Sequence, residues 1–139
     1  MQHSLTLDLF HAARGYQDRV TRHLAHALRT GHGITLSPAQ LSFLSILICG
    51  ENTASGVARR AGVSRQAAQR QATALAQEGY LALAQDPAKR NQSLITFTTA
   101  GETLMALCRE ILAGWDADLM PEAETLRRAA LIMNHALPE

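Results

Sequence analysis

The side chains best suited to chemistry in this chain lie between positions 64 and 73, where arginine and glutamine recur at helical spacing. On a helix of 3.6 residues per turn, five polar residues fall within an arc of about 140°. We call these residues, together with the serine before them, the polar face: Ser64, Arg65, Gln66, Gln69, Arg70 and Thr73. Arginine and glutamine form paired hydrogen bonds that match the edges of guanine and adenine in the major groove of DNA. The pattern therefore predicts contact with double-stranded DNA, and the alternative interpretation is an ordinary solvated helix face.

The net charge of +1 hides an uneven distribution of charge along the chain. Residues 51–98 carry six basic and three acidic side chains, whereas residues 99–139 carry three basic and seven acidic ones. A polyanion is attracted to the segment in which positive charge is concentrated. The middle of the chain, which contains the polar face, is therefore the predicted docking region.

Capping and turn residues predict the helices that position the polar face. Ser64 is a suitable N-cap for a helix that ends near Gly79, and a shorter helix is expected before it, at about residues 54–60. Between the two helices, Gly62 permits the chain to reverse, and Val63 is expected to fill the angle between them. This order is that of a helix-turn-helix unit.

After Gly79 the pattern changes from helical to extended. Residues 80–85 and 93–98 are rich in strand-compatible residues, and residues 86–91 between them are typical of a turn. We predict a two-stranded hairpin whose tip carries Lys89 and Arg90 as further DNA contacts. The predicted fold class is therefore mainly α with a small β-hairpin wing, which is a winged helix-turn-helix.

Long amphipathic helices are predicted on both sides of this unit. The first ends near Gly33, and a second begins with Ser37 as its cap and continues to Gly50. After the hairpin, Thr99 is predicted to cap a long helix, and Pro121 begins a last one. These helices flank the winged helix at its N- and C-terminal ends.

The apolar stripes on the terminal helices are larger than the core of one winged helix could cover. Apolar surface of that size is normally buried against a partner, so we expect residues 1–33 and 101–137 to form a homodimer. One structural domain is then divided into three parts. They are an N-terminal dimerisation helix at residues 1–35, a winged helix-turn-helix DNA-binding region at residues 36–98, and C-terminal dimerisation helices at residues 99–139.

With these features the chain resembles the MarR family of winged helix-turn-helix transcriptional regulators along nearly its whole length. The resemblance rests on the order and spacing of short motifs: Val57 to Ser64, Arg70, Leu75, Glu78 to Leu81, Asp86-Pro87, Arg90, and Thr98 to Gly101. It implies a homodimer with intertwined terminal helices that binds a palindromic operator. It also implies a repressor that a small-molecule effector releases from DNA.

The hairpin departs from the family pattern at two places. Leu83 stands where the family usually has an arginine, and Asn91 stands where it usually has the second arginine of an Asp-Arg-Arg tip. In the family that second arginine often enters the minor groove. Either Lys89 or Arg90 takes over this task, or the wing contacts only phosphate, and we expect mainly phosphate contacts.

The resemblance also implies an effector cleft where the terminal helices meet the DNA-binding region. The candidates for its lining are apolar residues with a few polar groups among them: Phe10, His11, Arg14, Tyr16, Leu44 and Leu107. A lining of that composition suits a small aromatic or anionic ligand.

Catalytic and membrane functions find no support in the sequence. It contains no glycine-rich phosphate loop, no His-Glu-x-x-His and no Gly-x-Ser-x-Gly, so neither an enzyme nor a cofactor is predicted. No apolar run approaches the ~20 residues of a membrane span, and no secretory signal is recognisable. A cytoplasmic protein is expected.

Two alternatives to a ligand-responsive repressor stay open at this point. His23 and His26 are three residues apart and could share a helix face, which leaves a metal-responsive regulator, although no metal ligands are predicted. The second alternative is a winged-helix interaction module without affinity for DNA. Cys49 and Cys108 occupy apolar positions, where a free cysteine is usually a small buried residue.

Overall fold

The computed structural model describes residues 3–89 and 91–135, and in this part of the chain it contains six α-helices and three short strands. They follow in the order α1 (Leu5–His32), α2 (Pro38–Ile46), β1 (Asn52–Thr53), α3 (Ala54–Ala61), α4 (Arg65–Gln77), β2 (Leu81–Gln85), β3 (Ser93–Phe97), α5 (Thr99–Leu119) and α6 (Ala123–His135), with a 3-10 turn at Met120–Glu122. The winged helix-turn-helix flanked by long helices is thereby confirmed.

The helix starts follow from the capping residues. Ser37 and Gln40 form a reciprocal capping box, in which the Ser37 hydroxyl accepts from the Gln40 amide at 3.1 Å and the Gln40 side chain accepts from the Ser37 amide at 2.9 Å. Ser64 caps α4 by accepting from the Ala67 amide at 3.1 Å. Gly62 ends α3 with a φ of 68°, in the left-handed region that favours glycine. The turn between α3 and α4 is therefore local in origin.

The sheet has the antiparallel strand order β1-β3-β2. Strands β2 and β3 form the predicted hairpin, with Leu81 opposite Phe97 and Gln85 opposite Ser93. Strand β1 was not predicted, because two residues are too few to show the alternation by which a strand is recognised. It joins the wing to the start of α3, since Thr53 also caps that helix.

The core lies where α1, α2, α3, α4 and β3 converge. One side chain from each of these elements is wholly buried: Leu28, Leu44, Val57, Leu75 and Ile95. On α4, Ala68 and Ala72 are also wholly buried, as their position opposite the polar face predicts. These small side chains permit close packing of α4, so the polar face is held on a rigid helix.

The junction between the wing and α5 depends on a glycine. A side chain at Gly101 would overlap the carbonyl oxygen of Tyr80, just before β2. Thr98 completes the junction, because its hydroxyl accepts from the Gly101 amide at 3.1 Å and donates to the Gly79 carbonyl at 2.6 Å. The cap of α5 is therefore Thr98, and the prediction of Thr99 is wrong by one residue.

Three further local predictions are wrong. Helix α2 ends at Ile46 rather than at Gly50, because Leu47 takes up an extended backbone conformation with ψ of 140°. Val63 is 39% exposed and does not fill the angle between α3 and α4, where the smaller alanines of the two helices are buried. Cys49 is exposed, since it lies in the loop after α2, whereas Cys108 on α5 is buried as expected.

The two ends of the described chain expose large apolar side chains. None of the described residues of α6 is buried, and Leu131 and Ile132 are 62% and 55% exposed. At the start of α1, Leu5 and Phe10 are similarly exposed. No helix in the described ranges is long and apolar enough to cross a membrane.

Candidate nucleic-acid interface

The polar face is assembled on α4 as the sequence predicts. Ser64, Arg65, Gln66 and Arg70 are exposed, whereas Gln69 and Thr73 are partly buried. The Thr73 hydroxyl donates to the Gln69 carbonyl one turn earlier at 2.8 Å, so its proton is engaged within the helix. The side chains most accessible to a partner are therefore concentrated in the first two turns of α4.

The polar face opens on a groove between α4 and the wing, with a volume of about 520 Å³. One wall is formed by Arg65, Gln66, Gln69 and Arg70, and the other by Asn91 and Ser93 of the wing. The buried start of α3, at Ala54, closes the groove at its base.

The two wing residues of this groove, Asn91 and Ser93, were not predicted as site residues. Residue 93 begins β3 and residue 91 lies in the turn before it, so it is the packing of the hairpin beside α4 that brings both to the groove.

The basic side chains of this interface are not neutralised by the rest of the protein. Within residues 3–89 and 91–135, no carboxylate forms an ion pair with Arg65, Arg70 or Lys89. The ion pair that is present joins Arg22 to Asp18 at 3.2 Å on the exposed surface of α1. Unneutralised guanidinium groups beside a groove favour an anionic partner.

The described residues at the tip of the wing form a hydrogen-bonded turn. The Asp86 amide donates to the Gln92 carbonyl at 2.8 Å, and the Asp86 carboxylate accepts from the Ala88 amide at 2.9 Å. Lys89 is exposed in this turn, and its amide donates to the Asp86 carbonyl at 3.2 Å. Arg90, the other predicted wing contact, lies outside the described residues.

A second concave site lies where α1, α2 and α5 meet. This cleft has a volume of about 260 Å³ and a mostly apolar lining that includes Val20, Leu24, Leu41, Met105 and Leu112. Of the six residues predicted for it, Tyr16 is present at its wall.

The other five predicted cleft residues lie elsewhere. Leu44 is wholly buried in the core, and Leu107 packs partly buried against the core. His11 and Arg14 line a separate, more open groove between α1 and the start of α2. Phe10 is exposed on α1, with its ring centroid 5.6 Å from that of His11.

The polar groups of the cleft come from all three helices. Gln17 donates to the Ser42 hydroxyl at 2.8 Å, which ties α1 to α2. Arg109 of α5 lines the cleft beside Cys108 and is the basic residue in it. Burial raises the pKa of the Cys108 thiol, and the nearby positive charge of Arg109 lowers it to a smaller extent.

The histidines form no metal site in the described ranges, which contain no group of three candidate ligands. His23 lies against Trp115 of α5, with ring centroids 4.8 Å apart and planes inclined at 34°. Its ring therefore packs between α1 and α5, whereas His26 is exposed.

Comparison with known proteins finds no family model and no curated protein sequence that matches this chain. Solved structures match it over nearly its whole length. Apo MarR from E. coli has a TM-score of 0.71 and 19% identity, covering 99% of both chains. The transcriptional regulator BldR from Sulfolobus solfataricus has a TM-score of 0.71 and 17% identity, covering 96% of this chain and 99% of that one.

A third match is a cysteine-to-serine mutant of E. coli MarR complexed with operator DNA. It has a TM-score of 0.68 and 21% identity, covering 94% of this chain and 92% of that one. The chain therefore has the MarR-type winged-helix fold that the sequence motifs predict.

Proposed function

We propose that this protein is a sequence-specific DNA-binding transcriptional regulator that acts as a homodimer. The observation that carries the proposal is the exposed arginine and glutamine surface of α4, which faces a groove shared with the wing. Arginine binds guanine and glutamine binds adenine through paired hydrogen bonds in the major groove. The polar face then reads bases, and Lys89 and Arg90 of the wing contact phosphate.

The solved complex of a structural neighbour with operator DNA supports this assignment. In that general arrangement the second helix of a helix-turn-helix enters the major groove with its first residues against the base edges. The exposed residues of this chain are concentrated in the same part of α4.

The homodimer is supported by the apolar side chains that the protomer leaves exposed. On α1 these include Leu5, Leu7 and Phe10, and on α6 they include Leu131 and Ile132. Side chains of this size and number are normally covered by a partner. Residues 1–35 and 99–139 are then the dimerisation parts, and residues 36–98 of each copy form the DNA-binding region. Two such regions related by a two-fold axis require a palindromic operator with half-sites about 10 bp apart.

Regulation is proposed at the cleft between α1, α2 and α5, with the protein acting as a repressor that its ligand releases. The cleft volume of about 260 Å³ is near the lower limit for a ligand site and suits a single aromatic ring. Tyr16 and the apolar residues would contact the ring, and Arg109 would bind a carboxylate. A ligand that weakens DNA binding tenfold must favour the non-binding arrangement by about 1.4 kcal/mol.

DNA binding is tested by fluorescence anisotropy on a duplex enriched from a random library. Arg70→Ala is expected to weaken binding by about 1–3 kcal/mol and to relax the preference at one position of each half-site. Arg109→Ala removes the same charge far along the sequence from the polar face and is expected to bind like the wild type without ligand. Equal affinities of the two variants would contradict the assignment of the polar face.

The ligand site is tested by a thermal-shift screen of phenolic and carboxylic compounds, followed by competition with DNA. Tyr16→Ala and Arg109→Ala are expected to abolish the response to a compound that displaces DNA. Arg14→Ala is the matched control, because Arg14 lies in the separate groove. If no stabilising compound displaces DNA, the proposed regulation is wrong while the DNA-binding function is unaffected.

A further inference from the structure

Asn52 is a polar side chain buried at the point where the loop after α2, helix α3 and strand β3 meet. It is 2% exposed. Its amide oxygen accepts from the Ile48 amide at 2.9 Å and from Nη2 of Arg60 at 3.0 Å. Its amide nitrogen donates to the carbonyl oxygens of Ile48, Gly50 and Ile95 at 2.9, 3.3 and 3.2 Å. Asn52 therefore uses all its hydrogen-bonding capacity to join the loop after α2, helix α3 and strand β3.

Arg60 differs from its neighbour Arg59 in having a partner inside the protein. It reaches back along α3 past Gly56, where an added side-chain carbon would lie 3.8 Å from Nη1 of Arg60. Its bond to Asn52 is charge-assisted and therefore stronger than a bond between neutral groups. Arg59 is exposed, and its side chain has no hydrogen bond or ion pair with the described residues.

The hydrogen bonds of Asn52 connect the wing wall of the groove beside the polar face to the base of that groove. In the sheet Asn52 is paired with Ile95, and Ser93, which lines the groove, lies two residues before Ile95 on β3. Ala54, at the base of the groove, lies two residues after Asn52. A shift of Asn52 would thus change the distance between the wing and α4.

We propose that Asn52 and Arg60 are positioning residues, which fix the wing against the helix-turn-helix so that wing and polar face contact DNA in one register. The path runs from Arg60 on α3 through Asn52 to the Ile95 carbonyl on β3. The inference rests on the proposed DNA-binding function, although the connection itself can be tested without DNA.

The connection is tested by backbone hydrogen exchange in the absence of DNA. In Arg60→Ala, the amides of β3 and of residues 48–53 are expected to exchange about tenfold faster, because one bond to a charged donor is lost. Arg60→Lys, which keeps a charged donor, restores part of the protection. Arg59→Ala is the matched control and leaves exchange unchanged. Equal exchange in Arg60→Ala and Arg59→Ala would overturn the proposal.

The effect on DNA binding is tested by a double-mutant cycle between Arg60→Ala and Lys89→Ala. Both side chains are exposed, so both variants are expected to fold. Arg60→Ala is expected to weaken binding about tenfold in the wild type and less than about threefold when Lys89 is already absent, because Arg60 acts through the wing.

Penalties that multiply would show instead that Arg60 does not act through the wing contact of Lys89, and would overturn the positioning role. If the wild-type protein enriches no duplex, the proposed function fails, and the exchange experiment still decides whether Arg60 holds the wing.

Discussion

The polar face of α4 and the apolar side chains of the terminal helices are both exposed in the protomer, but they differ in chemistry. The polar face of α4 presents arginine and glutamine on a helix whose opposite side is wholly buried. The start of α1 exposes leucine and phenylalanine side chains, and α6 exposes leucine and isoleucine side chains along its length. A polar surface can be exposed to water whenever its partner is absent, whereas a large apolar surface is normally covered by a partner. We therefore expect a reversible, salt-dependent partner at α4 and a permanent partner at the terminal helices.

The largest effect is expected from removing the apolar surface of α6 that we propose to be covered by a second copy of the chain. The double variant Leu131→Asp with Ile132→Asp is expected to raise the dimer dissociation constant at least about 100-fold. The reason is that burial of each apolar side chain contributes about 1.5–3 kcal/mol to the free energy of association. Sedimentation velocity measures the change, with Asn134→Asp as a polar control on the same helix. A wild-type protein that is a folded monomer at micromolar concentration would contradict the proposed permanent partner. Deletion of residues 1–30 is expected to cause aggregation.

A pair of glycine variants tests the junction between the wing and α5. Gly101→Ala is expected to destabilise the fold by about 1–3 kcal/mol, because the added carbon overlaps the Tyr80 carbonyl oxygen and a backbone atom cannot yield. Gly31→Ala meets open space near the end of α1 and is expected to be neutral or stabilising by up to about 1 kcal/mol. Urea unfolding of both variants decides, and equal stabilities would show that α5 is not held tightly against the wing.

Such local features could be predicted from sequence to different degrees. The caps Ser37 and Ser64 were predictable because a cap acts on backbone groups within three residues of itself. The polar face was predictable because helical geometry places Arg65 and Arg70 on one side of α4. Asn52 gave no signal, since its partners lie as far away as Ile95.

The cleft lining was predicted less well for a similar reason. The period of α1 shows which residues share a face, but the direction in which that face meets α5 depends on how the helices cross. Arg14 was therefore expected in the cleft that Arg109 lines.

A smaller effect is expected from the wing, and it tests whether the wing contacts phosphate or reads bases. Lys89→Ala is expected to weaken binding to all duplexes by a similar factor and to reduce the salt dependence by about one phosphate charge. Binding titrations at several salt concentrations on the enriched duplex and on a scrambled one measure both quantities. A changed base preference in Lys89→Ala would show that the wing reads bases.

The smallest effect is expected for the reactivity of the two cysteines, of which Cys49 lies in the loop after α2 and Cys108 lines the cleft between α1, α2 and α5. Cys49 is exposed, whereas Cys108 is buried and its pKa is raised by burial, so its thiol stays protonated at neutral pH. Iodoacetamide is therefore expected to alkylate Cys49 first, and Cys108 more slowly but faster as the pH increases. Mass spectrometry at pH 7 and pH 9 reads both sites. Equal rates at pH 7 would show that the packing of α5 against α1 and α2 opens in solution.

The proposal that α4 reads bases is tested most directly by selection of random duplexes with the 139-residue protein at low salt. Wild-type protein is expected to enrich a palindrome with half-sites about 10 bp apart, while Arg65→Ala with Arg70→Ala enriches none or one altered at the same positions of both half-sites. Enrichment of no sequence by the wild type, or of the same palindrome by the double variant, would contradict the account.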